Sequence, residues 1–233
     1  MVWLLLACSG DAGPAPTTAP VLAEASTRVT FGTLESLGSH VLQASLSQET
    51  SRGDEAPRRS LTTFRLRWRD LDHWSAERTV DGAPADAVRV VDGRAWVMSG
   101  RGAWQDGGDV EPLRVQVAHT WDLWQVATEL FVDRVLLTPE GTSEVEGRPV
   151  RTYALSLAPV AKPQRRVWEP TEVRGSVWLD EVTAVRLLAD LHGEATSEGQ
   201  KRVVELKLAV HGIGLGVEIV PPGTEEAKLP DLP

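Results

Sequence analysis

Residues 112–131, PLRVQVAHTWDLWQVATELF, carry the one long helical pattern in a chain that otherwise reads as strands. Leu113, Val117, Trp121, Trp124, Thr128 and Phe131 recur at steps of three and four, which places them on one side of a 3.6-residue helix. Arg114, Asp122, Gln125 and Glu129 fall largely on the other side. Asp109 just ahead and Pro112 near the start suit a helix N-terminus. A flank with two Trp and a Phe must lie against something apolar, and the partner this chain offers is a sheet. The expected architecture is therefore mostly β (α+β): a strongly curved antiparallel sheet with one long helix packed in its concave face.

The sheet is read from period-two alternation. In residues 60–69, Phe64, Leu66 and Trp68 alternate with Arg65, Arg67 and Arg69, so one wall is apolar and the other polar. A second strand follows to Val80 with Trp74 and Ala76 on one face, and Asp81-Gly82 turns the chain. Residues 88–91 and 95–98 flank Asp92-Gly93, the strongest hairpin signal present, because Asp-Gly supplies the positive φ angles of a type I′ turn. Residues 100–110 read as a loop holding Trp104. Beyond the helix come a short apolar stretch at 134–137 and two strands about Glu146-Gly147. A hairpin then turns around Asp180-Glu181, with Val177 on its first strand and Leu187 and Leu191 on its second, and 201–211 forms a last strand. Strands at hairpin spacing without βαβ alternation make an antiparallel sheet.

The chain has 233 residues and a net charge of −9, with 42% hydrophobic and 24% charged residues, the composition of an ordinary folded protein. That charge repels phosphate backbones, so nucleic acid is not an expected partner. A single cysteine excludes an internal disulfide and a thiolate metal cluster. It stands in Leu5-Leu6-Ala7-Cys8, which resembles the bacterial lipobox, where a small residue precedes the cysteine that is acylated. Only seven residues precede Cys8 and none is basic, so residues 1–8 read as a truncated signal. Residues 9–20, SGDAGPAPTTAP, hold no large apolar side chain and read as a flexible tether.

Two segments carry a family likeness. EVEGRPVRTYAL (144–155) looks like a strand-turn-strand ending in an aromatic, and GSVWLD (175–180) running on to AVRLLADLHG looks like a late hairpin. Over residues 40–212 this order resembles the LolA/LolB-like half-barrel superfamily, which also includes LppX/LprG-type lipoproteins. The resemblance implies a single half-barrel domain over 21–216, followed by a polar tail at 217–233. It implies an apolar cavity for a lipid or a lipoprotein acyl chain, closed by helices. With Ser9 after the cysteine, it also implies a periplasmic protein anchored to the outer membrane by acylated Cys8, with the inner membrane as the alternative.

The expected cavity lining is Phe64, Leu66, Trp68, Trp74, Trp121, Trp124 and Phe131, with Val177, Leu187 and Leu191. The alternative is a filled core, which would make the protein a non-catalytic interaction or regulatory module working on another envelope protein. No cofactor, metal or catalytic residue is expected. GIGLG (212–216) follows a strand, but Pro221-Pro222 forbid the helix a dinucleotide site needs. Asp106 and Asp109 lack the alternating carboxylates of a calcium loop. His40, His73, His119, His192 and His211 show no ligand spacing, and no Gly-x-Ser-x-Gly elbow occurs. Arg65, Arg67 and Arg69 read as a solvated sheet face, or as one meeting anionic headgroups.

Overall fold

Paired acidic-glycine dipeptides set the hairpins of the computed structural model, which describes residues 21–22, 35–131, 134–159 and 167–223. At Asp92-Gly93 the φ angles are 49° and 71°, and at Glu146-Gly147 they are 52° and 72°, the doubly left-handed geometry that turns a twisted two-strand ribbon back on itself. Asp81-Gly82 and Glu198-Gly199 repeat the device. The strands are β1 (Val21–Leu22), β2 (His40–Arg52), β3 (Arg58–Asp70), β4 (His73–Val80), β5 (Ala83–Val91), β6 (Arg94–Ser99), β7 (Gln105–Gly108), β8 (Val135–Val145), β9 (Arg148–Leu157), β10 (Glu169–Asp180), β11 (Arg186–Ser197) and β12 (Gln200–His211). All join one antiparallel, curved and unclosed sheet in the order β1-β8-β9-β10-β11-β12-β2-β3-β4-β5-β6-β7.

Two features of this order shape the molecule. Strand β2 pairs with β12 from Val41↔His211 to Arg52↔Gln200, so an early and a late strand sit at the middle of the sheet. The chain leaves β7 at one edge and re-enters at β8 next to the other edge. The connecting segment must therefore cross a face of the sheet, and that crossing is where the helical pattern lies.

The crossing is two helices, not one. Helix α1 (Val110–Thr120) begins at the N-cap Asp109, whose side chain accepts from the Glu111 N–H, and ends at the C-cap Trp121. Helix α2 (Leu123–Glu129) begins at the N-cap Asp122, whose carboxylate accepts from the Trp124 N–H at 3.0 Å. The 3.6-residue pattern is continuous across the break because Trp121 and Trp124 both turn inward and are buried. What ends the first helix is a carboxylate competing for the backbone donors that a continuous helix would use.

Inward-facing side chains of the central strands make the core: Leu42, Ala44 and Leu46 of β2, Phe64, Leu66 and Trp68 of β3, Trp74 and Ala76 of β4, Leu206 and Leu208 of β12. The register places Leu66 between Leu42 and Ala76, and Trp68 between His40 and Trp74. Onto this wall fold Val117, Trp121, Leu123, Trp124, Ala127 and Phe131, all buried.

The other face of the sheet corrects two expectations. Arg67, Ser75 and Arg89 are mutual register partners on β3, β4 and β5, and all three are buried rather than solvated. The C-terminal segment covers them: Val217 and Ile219 are buried, Arg67 Nη2 donates to the Glu218 carbonyl, and Arg89 Nη1 donates to the Val220 carbonyl at 3.2 Å. Arg89 also stacks over the Trp104 ring at 5.0 Å. Residues 217–220 are thus a strap on the sheet rather than the start of a polar tail; of the three arginines, Arg69 is the exposed one.

Candidate functional site

Where α1 and α2 meet the wall, a narrow seam remains. It is lined by Leu42, Ala44, Phe64, Leu66 and Leu208 from the sheet and by Val117, Ala118 and Leu123 from the helices, with Asp122 and Arg186 among its walls. Its volume is about 40 Å³. Alternation in β2, β3 and β12 supplies the sheet wall, since each contributes every second residue. The helix wall comes from the faces of α1 and α2 that the chain's crossing turns inward.

Of the residues the sequence singled out as cavity lining, Phe64 and Leu66 border the seam. Trp68, Trp74, Trp121, Trp124, Phe131, Val177, Leu187 and Leu191 are all buried in the same core. Several touch one another's elements directly: the Phe64 and Trp121 rings meet edge to face with centroids 6.3 Å apart. Cys8 and the tether at 9–20 lie outside the described residues.

The polar pair was not legible as a site from the sequence. Arg186 opens β11 beside a register shift between Trp178 and Leu179 of β10, and it is 1% exposed. Its Nη2 lies 3.5 Å from both carboxylate oxygens of Asp122, and its guanidinium stacks over the Trp124 ring at 4.5 Å. Burial pulls the Arg186 pKa below its ordinary value, and the Asp122 carboxylate opposes that shift. The pair therefore joins α2 to the sheet from inside the core. Asp122 acts twice, capping α2 and facing the buried cation.

A second, purely structural cluster closes the β10–β11 turn. Asp180, 1% exposed, accepts from Arg148 Nε at 2.5 Å, from Arg148 Nη2 at 3.1 Å, and from the Thr183 N–H and hydroxyl at 2.7 and 2.8 Å. Burial acts to raise its pKa, but the Arg148 and Thr183 hydrogen bonds outweigh it and hold the carboxyl at about 2. Among the described residues, no helix is long and apolar enough to cross a membrane.

No protein-family model matches the chain. No curated protein matches it either. Solved structures with which it shares a likeness include the Pseudomonas aeruginosa MucA/MucB complex, at 18% identity and a TM-score of 0.29 over 81% of this chain and 57% of that one. This chain thus spans a little over half of that relative's length. A LolA superfamily protein from Nitrosomonas europaea is similar at 10% identity and a TM-score of 0.21, covering 78% of this chain and 93% of that chain. The Mycobacterium tuberculosis lipoprotein LppX is similar at 12% identity and a TM-score of 0.25, covering 76% and 88% of the two chains.

Proposed function

We propose that the protein is a non-catalytic binding protein of a bacterial cell envelope, held on the periplasmic side of the outer membrane through acylated Cys8, and that it takes a lipid or lipoprotein acyl chain between its helices and its sheet. One observation carries this reading: the seam under α1 has apolar side chains on both walls, with Asp122 and Arg186 as its polar members. Each methylene moved from water into such a seam gains about 0.8 kcal/mol. At about 40 Å³ the seam is far smaller than the roughly 300–1,000 Å³ of pockets that hold a ligand. The described conformation is therefore the closed one, and a chain enters only as a helix lifts. Helix α1 is the element suited to lifting: among its described side chains Val117 is the one that is buried, and Val115 is about half exposed. Helix α2 is held by Trp124, Ala127 and the Asp122–Arg186 pair.

The test is native mass spectrometry of the chain expressed with residues 1–20 in a bacterial envelope. Bound acyl lipid, lost in Ala118→Trp, which fills the seam, supports the proposal. Lipid-free protein rejects it. Cys8→Ser is expected to move the protein from the membrane to the soluble periplasmic fraction; unchanged membrane association would remove the anchor. The small volume of the seam favours one second reading, a filled core serving an interaction module. Crosslinking in cells to a single envelope protein, by a lipid-free chain that Ala118→Trp leaves able to crosslink, would establish it.

A further inference from the structure

We infer that the outer face of the sheet carries a divalent-cation site built by Glu172, His192 and Glu194, of the class that takes Zn2+. The sequence showed no ligand spacing around His192, because the ligands come from two strands. Pairing of β10 with β11 sets Glu172 directly opposite Glu194, and Arg174 opposite His192. One ligand atom from each of the three residues then lies within 4.8 Å of the others. Two carboxylates placed face to face across a ladder repel each other, a cost that a shared cation removes.

The histidine is oriented as a metal ligand needs. Its Nε2 is the nitrogen turned to Glu194, 3.7 Å from Oε1. Its Nδ1 faces the other way, 3.6 Å from Oε1 of Glu205, the residue opposite His192 on β12. A carboxylate behind the second ring nitrogen is the outer-shell partner that metal-ligating histidines commonly keep. The His192 side chain is 19% exposed, so its ring is confined yet reachable.

The neighbouring cations leave room. Lys201 Nζ binds the other oxygen of Glu194, Oε2, at 2.8 Å, and Arg174 Nε binds Oε1 of Glu172 at 3.0 Å. Glu194 keeps its Oε1 facing His192, and Glu172 keeps a ligand atom within 4.8 Å of the other two. Lys201 and Arg174 are about half and two-thirds exposed, and such surface ion pairs are weak. Two carboxylates and one imidazole with an open position suit tetrahedral Zn2+, whose bonds run at about 2.0–2.2 Å. Calcium needs about 6–8 oxygens, more than this surface offers. The site lies away from the seam and stands whether or not an acyl chain binds there.

Calorimetric titration of the full chain with zinc chloride at pH 7 tests it. One equivalent is expected to bind and to raise the melting temperature. His192→Ala is expected to abolish both effects, Glu205→Gln to weaken binding about 10- to 100-fold, and His73→Ala to leave it unchanged. Calcium chloride is expected to give no heat. Absence of stoichiometric zinc binding, or binding that survives His192→Ala, overturns the inference.

Discussion

At Gly193, on the inner face of β11, a Cβ would lie 2.1 Å from Cζ of Phe131, so the missing side chain is what admits the ring. Phe131 is fully buried just beyond the end of α2, and its seat on Gly193 ties the end of the crossing to the sheet. Gly193→Ala should gain up to about 1 kcal/mol from a stiffer unfolded chain. Against that stands overpacking of a filled core, at about 1–3 kcal/mol, which wins because the contact is with a ring already wedged in place. A net loss of about 1–2 kcal/mol in urea denaturation is expected, partly recovered when Phe131→Leu is added; strictly additive effects would show that the two sites do not meet. Asp180 gives a pH signature. Its carboxyl sits at about 2 in the folded protein against an ordinary 3.8, so its stabilisation, about 2 kcal/mol, is complete well above 3.8 and is lost as pH falls through the folded value. Asp180→Asn is therefore expected to destabilise the protein at neutral pH, with the gap to the parent narrowing below about pH 4; a gap constant to pH 2 would assign the loss to packing. The sequence marked Phe131 for burial through its helical spacing. It carried no mark on Gly193, because a close approach between residues so far apart is set by the fold. Arg67 failed in the same way: alternation put it on the outer face correctly, but which segment covers that face is a long-range fact.

Among the elements, the break between α1 and α2 shows what periodicity can and cannot reveal. Spacing by three and four survives a two-residue interruption when the flanking side chains still turn inward, so residues 112–131 read as one helix. The capping geometry decides otherwise. Asp122 binds the Trp124 N–H and lies against the buried Arg186, and both roles need its carboxylate outside a helix. The roles separate by mutation. Asp122→Asn keeps a capping oxygen but removes the charge facing Arg186, and stripping one partner from a buried pair costs about 3–5 kcal/mol. Asp122→Ala also loses the cap, a further 1 kcal/mol or so. Guanidinium denaturation should rank parent above Asn and Asn above Ala; an Asn variant as stable as the parent would show that Arg186 does not depend on Asp122. Hairpins were the most legible elements, because a two-residue turn is a local chemical event: Asp81-Gly82, Asp92-Gly93 and Glu146-Gly147 all turn where their dipeptides predict. Residues 105–108 form strand β7 although QDGG offers neither alternation nor β-branched residues and so reads as a loop. Strand β8 reads as an apolar stretch ending at Leu137, but it runs on to Val145 through an irregularity between Pro139 and Gly141.

For the molecule as a whole, the order of strands imposes a hierarchy of stability. Pairing of β2 with β12 and β3, and of β12 with β11, is continuous over ten or more residues, and it makes the middle of the sheet a cooperative block. None of this central closure is visible locally: β2 and β12 are individually plain amphipathic strands, and only their joint need to cover an apolar face brings them together. The crossing helices are the opposite case. Helix α1 is three turns long, too short to persist alone, and it is fastened mainly through Val117, with Leu113 and Ala118 partly buried beside it. It should open without the sheet opening. In native-state hydrogen exchange, the α1 amides are expected to exchange by local opening at a rate insensitive to low denaturant. Those of β2 and β12 should exchange only through global unfolding, with α2 between because of Trp124 and the Arg186 contact. If α1 proves as protected as β2, the seam has no door, an acyl chain cannot enter beneath it, and the core must be read as permanently filled.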